Sequence, residues 1–327
     1  MTSQPHCDSE VTTGERTIVV ADVLGYCWGV RRALAIVRAA AREKPVAALG
    51  DIIHNPVAVD ELTRDGIVPV RDANAARALG YERVAITAHG APPERYEECE
   101  ALGLQVVDTT CPLVTKVQRL AQRLVLQGYF VVVYGDAAHP EVRGVLGWAG
   151  TTRACAAKRL EDLPWRGPRG AVDDAPPRKV ALLAQTTKRT EDFLAFAEQL
   201  ARWVLPHAGE FRIVNTICQP TWERQEALMR LADEVDTVLV IGGRKSSNTA
   251  RLVETARSRG VRSFLIERAD DITDDLVQGS RRVGITAGAS TPDSVILDVI
   301  ARLVAFGFQP PSRLWREENP DTLEFAE

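Results

Sequence analysis

The apolar positions of this chain come in short, unbroken, β-branched runs, and nearly every run ends in a polar or glycine-rich loop. Nine segments have this form. They are "TIVVADVLGYCWGVRRAL", "VAALGDIIHNP", "VAITAHGAPPE", "LQVVDTTCPLVTKV", "FVVVYGDAAHPEV", "VALLAQTTKRTEDF", "FRIVNTICQPTWERQEAL", "TVLVIGGRKSSNTARL" and "RVGITAGASTPDSV". The runs lack the polar alternation of a half-exposed strand, and ten or so residues of helical period usually follow. That combination predicts parallel strands covered by helices on both faces, an α/β architecture.

The order of the loops carries more information than any one of them. The first, fourth and seventh segments contain Cys27, Cys111 and Cys218, and two segments without such a cysteine follow each. The loops read Cys, His, His; then Cys, His, Thr; then Cys, Ser-Ser-Asn, Ser. This predicts one fold of roughly 90–100 residues, a common domain size, used three times. In open parallel sheets functional groups gather beyond the carboxyl ends of the strands, and every distinctive polar residue here sits at that end. Three such sheets facing a common centre bring three thiols and a ring of His, Ser, Thr and Asn together. The stretch 165–179, "WRGPRGAVDDAPPRK", reads as a surface loop inside the second repeat from its Gly, Pro and charge content. Residues 1–15 read as a disordered leader and 304–327 as an extended tail.

Composition narrows the possibilities. The chain has 327 residues, enough for two or three domains, and is 45% apolar and 26% charged, within the usual range of globular proteins. A formal net charge of −4 argues against a nucleic-acid binder. No apolar run approaches the roughly 20 residues of a membrane span. The first residues have neither an apolar signal region nor transit-peptide character, so a cytoplasmic location is expected.

Six cysteines occur, and no CxxC pair exists, which leaves no zinc ribbon or thioredoxin-type motif. Cys7 lies in the leader. Cys99 falls in a helical pattern and Cys155 outside the nine segments, so both read as small buried hydrophobes. Cys27, Cys111 and Cys218 take equivalent places before a helix, where the helix dipole favours the thiolate, the metal-binding form. Three thiolates with no partnering histidine ligand suit an iron–sulfur cluster better than zinc. Four irons on three thiolates leave one iron open for substrate.

Three of the five histidines, His54, His89 and His139, lie in matching loops, where imidazoles can donate to phosphate or carboxylate oxygens. The loops "GGRKSSN" and "TAGAS" open helices; such starts are anion sites or plain N-caps. Glu141, two residues after His139, is the candidate proton donor. No GxGxxG opens a helix, so reducing electrons come from outside the chain.

Taken together, "GYCWGVRRAL", "GDIIHNPVAVDEL", "AHG", "DTTCPLVTKV", "HPEVRG", "AQTT", "NTICQPTWERQEA", "SSNTARL" and "TAGASTPD" resemble the LytB family. These are the reductases that make isopentenyl and dimethylallyl diphosphate from 4-hydroxy-3-methylbut-2-enyl diphosphate in the last step of the methylerythritol phosphate pathway. The motifs run through nearly the whole chain in the family's order. The resemblance implies a trefoil of three α/β domains around a [4Fe–4S] cluster held by Cys27, Cys111 and Cys218. It implies diphosphate binding by His54, His89, Ser246, Asn248 and Ser290, with Ser247 beside them. It places His139 near the substrate's hydroxyl, Glu141 as the proton-delivering acid, and Thr186 as the residue that positions Glu141 and an ordered water. Residues 16–28 would join the third domain (215–303), with the first and second domains over 29–111 and 112–214. A ferredoxin or flavodoxin would supply electrons. Trp28 stands where Phe or Ala is more familiar.

Two other readings fit parts of the pattern. One is another triplicated three-cysteine iron–sulfur enzyme such as quinolinate synthase, which would bind a dicarboxylate-derived substrate; the "SSN" and "TAGAS" loops favour diphosphate. The other is a non-catalytic iron–sulfur sensor or phosphate-ligand binding protein, which would have no use for a proton relay through Glu141 and Thr186.

Overall fold

The computed structural model describes residues 15–150, 152–165 and 176–315. Its strands form three separate four-stranded sheets, every pairing parallel. The chain opens with β1 (Thr17–Val20) and α1 (Trp28–Glu43). The first complete sheet follows, with β2 (Val46–Leu49), α2 (Pro56–Arg64), β3 (Ile67–Val70), α3 (Ala73–Ala78), β4 (Arg83–Ile86), α4 (Pro93–Ala101) and β5 (Gln105–Asp108). The second begins after α5 (Pro112–Leu126) and contains β6 (Phe130–Tyr134), α6 (Pro140–Ala149), β7 (Ala154–Ala157), β8 (Lys179–Ala184), α7 (Thr190–Val204) and β9 (Glu210–Ile213). The third follows α8 (Gln219–Ala232). It contains β10 (Thr237–Ile241), α9 (Ser247–Ser258), β11 (Arg262–Ile266), α10 (Asp274–Val277), β12 (Arg282–Ala287) and α11 (Asp293–Ala305).

The strand orders are β3-β2-β4-β5, β7-β6-β8-β9 and β11-β10-β12-β1. They are one topology used three times, except that the third sheet takes its last strand from the start of the chain. Thr17 to Val20 pair with Arg282 to Ile285 of β12. Each unit therefore reverses its strand order between its first and third strands, the place where open α/β sheets leave a crevice. The strands are apolar on both faces because both faces are covered. In the second unit Val131 and Val133 pack toward α5 and α6, while Val132 and Leu182 pack toward Phe193 and Leu200 of α7.

Nine segments were expected to hold strands, and twelve strands exist among the described residues. The three extra ones, β3, β7 and β11, lie at the far edge of each sheet. Their sequences, "IVPV", "ACAA" and "RSFLI", are too polar, too small or too broken by proline to stand out. Pro69 is tolerated because an edge strand has spare hydrogen-bonding positions. Cys155 therefore lies within a repeat, in β7 opposite Val132. The loop expected over 165–179 is shorter at its ends. Trp165 is buried against Phe130 and Trp203, and Lys179 opens β8; residues 166–175 lie outside the described residues. The segment after α11 does not simply trail away. Phe308 is buried under Arg16, and Gln309 exchanges backbone hydrogen bonds with Arg16 and Ile18, covering the open edge of β1. Residues 1–14 and 316–327, most of the expected leader and tail, lie outside the described residues.

The units meet through glycines. A Cβ on Gly147 of α6 would stand 2.4 Å from Pro92 Cβ, and one on Gly243 would stand 2.6 Å from the carbonyl oxygen of His54. Close approach of the first unit to its two neighbours thus requires the absence of a side chain. Gly147→Ala should destabilise the protein by about 1–3 kcal/mol, the cost of overpacking a fitted contact. Gly209→Ala, whose Cβ would find its nearest atom at 3.6 Å, should change little. Urea unfolding midpoints of the two variants measure the difference; equal midpoints would mean the units do not meet at Gly147.

Candidate functional site

The chain passes from one sheet to the next at three cysteines. Cys27 leaves β1 and caps α1, Cys111 leaves β5 and caps α5, and Cys218 leaves β9 and caps α8. Pro at the first or second position of α5 and α8 suits a helix start. Each cysteine is held by the same bond. The N–H of Cys27 donates to Ala289 O at 3.1 Å, that of Cys111 to Ala88 O at 3.0 Å and that of Cys218 to Thr186 O at 3.0 Å. The acceptor always lies in the loop after the neighbouring strand. None of the three is in a disulfide, and they line one cavity.

Every residue singled out from the sequence lines that same cavity: Cys27, Cys111 and Cys218; His54, His89 and His139; Glu141 and Thr186; Ser246, Ser247, Asn248 and Ser290. The histidines come from the loops after β2, β4 and β6. His54 and His89 stack with ring centroids 4.1 Å apart, and His139 sets its edge against both at 5.5 and 5.4 Å. Their nearest ligand atoms all lie within 4.8 Å of one another. Three loops distant in sequence thus bring the histidines into the cavity that the thiols line.

Burial governs the charge of the site. It lowers the pKa of all three imidazoles, that of His139 to about 4, and proximity of the rings to one another adds to the effect on His89 and His139. The Glu141 N–H donates to His139 Nδ1 at 3.2 Å, so neutral His139 carries its proton on Nε2. Glu141 is 2% exposed. Thr186 donates to both its carboxylate oxygens, N–H to Oε1 at 2.7 Å and Oγ1–H to Oε2 at 2.8 Å. Burial raises the carboxyl pKa, and the two Thr186 bonds oppose it without prevailing. The thiols depart from expectation here. Burial pushes Cys111 and Cys218 up to about 12, with repulsion from Cys27 adding to it, and outweighs the helix-start amides. The dipole effect is worth a fraction of a pKa unit to about one, whereas desolvation of a fully buried group is worth several.

Several polar atoms on the wall have no partner among the described residues: His54 Nδ1, His89 Nε2 and both amide atoms of Asn248. Ser246 Oγ accepts from Thr249 N–H and caps α9, so the N-cap reading of this loop is correct even though the residue also faces the cavity. Ser290 Oγ–H donates to His54 O at 3.2 Å, tying the third unit to the first. Three contributors escaped the sequence reading. Thr187 donates to Ser247 Oγ at 3.0 Å, Thr221 Oγ1 lies 3.1 Å from Cys218 Sγ, and Gly29 leaves room where a Cβ would stand 2.6 Å from Cys111 Sγ and 3.9 Å from Cys27 Sγ. The signals were present: a second threonine in "AQTTK", a hydroxyl three residues past Cys218, and a glycine in the first turn of a helix.

The LytB protein family model matches residues 18–304. The chain belongs to the LytB family. It is 37% identical over 293 residues to the 4-hydroxy-3-methylbut-2-enyl diphosphate reductase of Aquifex aeolicus (strain VF5), covering 88% of this chain and 95% of that one. It is 41% identical over 281 residues to the protein of the same name from Anaeromyxobacter sp. (strain Fw109-5), covering 85% and 94%. A solved (E)-4-hydroxy-3-methyl-but-2-enyl diphosphate reductase, called the terminal enzyme of the non-mevalonate pathway, superposes with a TM-score of 0.63 at 35% identity, over 89% of this chain and 99% of that one. The corresponding reductase from Plasmodium falciparum, at 24% identity, TM-score 0.78 and coverage of 91% and 89%, shares the fold. Membership of LytB and this shared fold account for three equivalent parallel-sheet units.

With the imidazoles held neutral at pH 7, an anion placed among them should raise their pKa values and draw in protons. Affinity for sulfate, itself fully ionised throughout, should therefore rise as the pH falls from about 8 to about 6. Calorimetric titration in buffers of different ionisation enthalpy measures the uptake. Proton release, or affinity that falls with pH, would show that the ring does not receive anions.

Proposed function

We propose that this chain performs the reductive dehydration of 4-hydroxy-3-methylbut-2-enyl diphosphate to isopentenyl and dimethylallyl diphosphate. Cys27, Cys111 and Cys218 would hold a [4Fe–4S] cluster. The observation that carries this reading is the meeting of three cysteines without disulfides, one from each unit, in one cavity with a buried carboxyl and a ring of polar side chains. The donor set fits such a group. It is all sulfur, it stands on three separate helix starts, and Gly29 leaves the space between two of the sulfurs clear of a side chain. Thiols pushed up by burial are poor thiolates by themselves, but a cationic iron centre reverses that balance. When bound, the cluster supplies single electrons and Lewis acidity.

The remaining residues divide the work. The unpartnered atoms of His54, His89 and Asn248, with the hydroxyls of Ser246, Ser247 and Ser290, suit the oxygens of a diphosphate. Those hydroxyls and the amide favour an anion over a metal ion at the histidine trio. Per turnover the substrate gains two electrons and two protons and loses its hydroxyl as water. Glu141 supplies a proton, since burial keeps its carboxyl protonated to higher pH than in water. Thr186, bonded to both carboxylate oxygens, holds it toward the cavity, and His139 sits beside it at the start of the same helix. Reliance on reduced thiols, with no disulfide among the described cysteines, supports a reducing, cytoplasmic setting.

Anaerobic purification with iron and sulfide analysis, followed by assay with the diphosphate substrate and a small-molecule reductant, tests the reading. Cys27→Ser, Cys111→Ser and Cys218→Ser should each lose iron, while Cys99→Ser and Cys155→Ser keep it; an iron-free Cys155→Ser protein would overturn the ligand set. His54→Asn and Asn248→Ala should each weaken substrate binding by roughly 1–3 kcal/mol, the scale of a charge-assisted hydrogen bond. Glu141→Gln should retain iron and diphosphate affinity while turnover falls by about 10²–10⁴-fold. Near-normal turnover in that variant would move the proton source elsewhere.

A further inference from the structure

A second cleft, of about 580 Å³, borders the chain on either side of Cys111 and has Thr110 and Pro112, the two chain neighbours of that residue, in its lining. Four cations line it as well: Arg32 from α1, and Lys116, Arg119 and Arg123 from α5. The last three are spaced three and four residues apart, so they form one stripe along an exposed helix face. The stripe starts roughly 7 Å and ends roughly 18 Å from the Cys111 end of the helix at 1.5 Å per residue. No acidic residue occurs in α5. Arg119 and Arg123 make no ion pair among the described residues. The one acid in the lining, Asp108, accepts hydrogen bonds from Thr110 and from the Tyr96 hydroxyl. Arg32 donates to Thr110 O at 3.2 Å and so ties the stripe to the Cys111 loop. The chain as a whole carries a net charge of −4, so this concentration of positive charge runs against the background.

We propose that this basic cleft is the docking surface for the electron donor, an acidic one-electron carrier protein, and that electrons enter through the Cys111 loop. The proposal rests on the cluster and the reaction assigned under Proposed function. Each turnover consumes two electrons, so two reduced carriers must arrive and two oxidised ones leave. Such an exchange calls for fast, steered, weak association, which complementary charge provides and a large apolar interface does not. The carrier gives up one electron per visit and is itself the species oxidised. Charge complementarity selects an acidic carrier, and Thr110 and Pro112 make the lining of this face covalently continuous with Cys111.

The test compares two reductants on the same protein. Lys116→Glu, Arg119→Glu and Arg123→Glu are combined in one variant; Arg119→Gln with Arg123→Gln is the milder second variant. Turnover is measured with reduced plant-type [2Fe–2S] ferredoxin and, separately, with reduced methyl viologen. Binding of oxidised ferredoxin is followed by calorimetry at low and high salt. The expected result is a loss of at least about tenfold in kcat/KM for ferredoxin in the charge-reversed variant and a smaller loss in the milder one. The salt dependence of ferredoxin binding should flatten, and viologen-driven turnover and iron content should stay as in the unmodified protein. Unchanged ferredoxin kinetics would overturn the proposal, and so would equal losses with both donors. If the unmodified protein shows no viologen-driven turnover, the functional reading fails, and the binding comparison still decides whether this face receives the carrier.

Discussion

Three backbone hydrogen bonds, one per unit, hold the centre of this molecule together. Each ties a cysteine N–H to a carbonyl in the loop of the neighbouring strand, and each sits where the chain leaves one sheet to start the first helix of the next. The thiol is thus fixed by two units at once: its position follows from the end of one sheet, its orientation from the helix it caps. The ring closes because β1 completes the third sheet, with Gln309 covering its outer edge. A thiol that caps a helix at a junction of units cannot shift without moving the relation between them. Where the units approach most closely, at Gly147 and Gly243, no side chain stands between them, and polar side chains such as Ser290 and Thr187 bridge the rest of the contact.

The electrostatics of the cavity follow from that convergence. Packing nine strand ends around one point removes water from thiols, imidazoles and a carboxyl together. Cys111, Cys218 and Glu141 are driven upward and the histidines downward in pKa, each toward its neutral form. Unpartnered atoms on His54, His89 and Asn248 add to the cost, at about 1–3 kcal/mol for each buried polar group left unsatisfied. A ligand that offers hydrogen-bond partners to these atoms relieves that cost on binding. The surface beside it has the opposite character. Arg119 and Arg123 are exposed, and their charges act at a distance through solvent rather than by contact.

How much of this was legible in the chain depended on what each residue does locally. Cys27, Cys111 and Cys218 stood out because a strand signal precedes each and a helix start follows. His54, His89, His139 and the "SSN" and "TAGAS" loops stood out because they repeat that position. β3, β7 and β11 did not, since an edge strand away from the site needs neither a long apolar run nor a polar terminus. Trp165 looked like part of a loop because its burial against Phe130 and Trp203 comes from residues distant in sequence. Gly29 and Thr221 carried only a faint signature, a glycine and a hydroxyl in the first turn of a helix; their roles exist only beside the sulfur atoms.

The sequence by itself determined the parallel α/β class, the threefold repetition and the set of candidate site residues, because periodicity, helix-start chemistry and residue type are local properties. The tertiary structure decided which of those residues share a cavity, which protonation state burial imposes on them, and which strand completes which sheet. Those outcomes depend on distances between segments a hundred residues apart. The thiols illustrate the division. Read locally, a cysteine at a helix start is a ready thiolate; placed beside two others and removed from water, it is held in the protonated form, because desolvation outweighs the field of one helix.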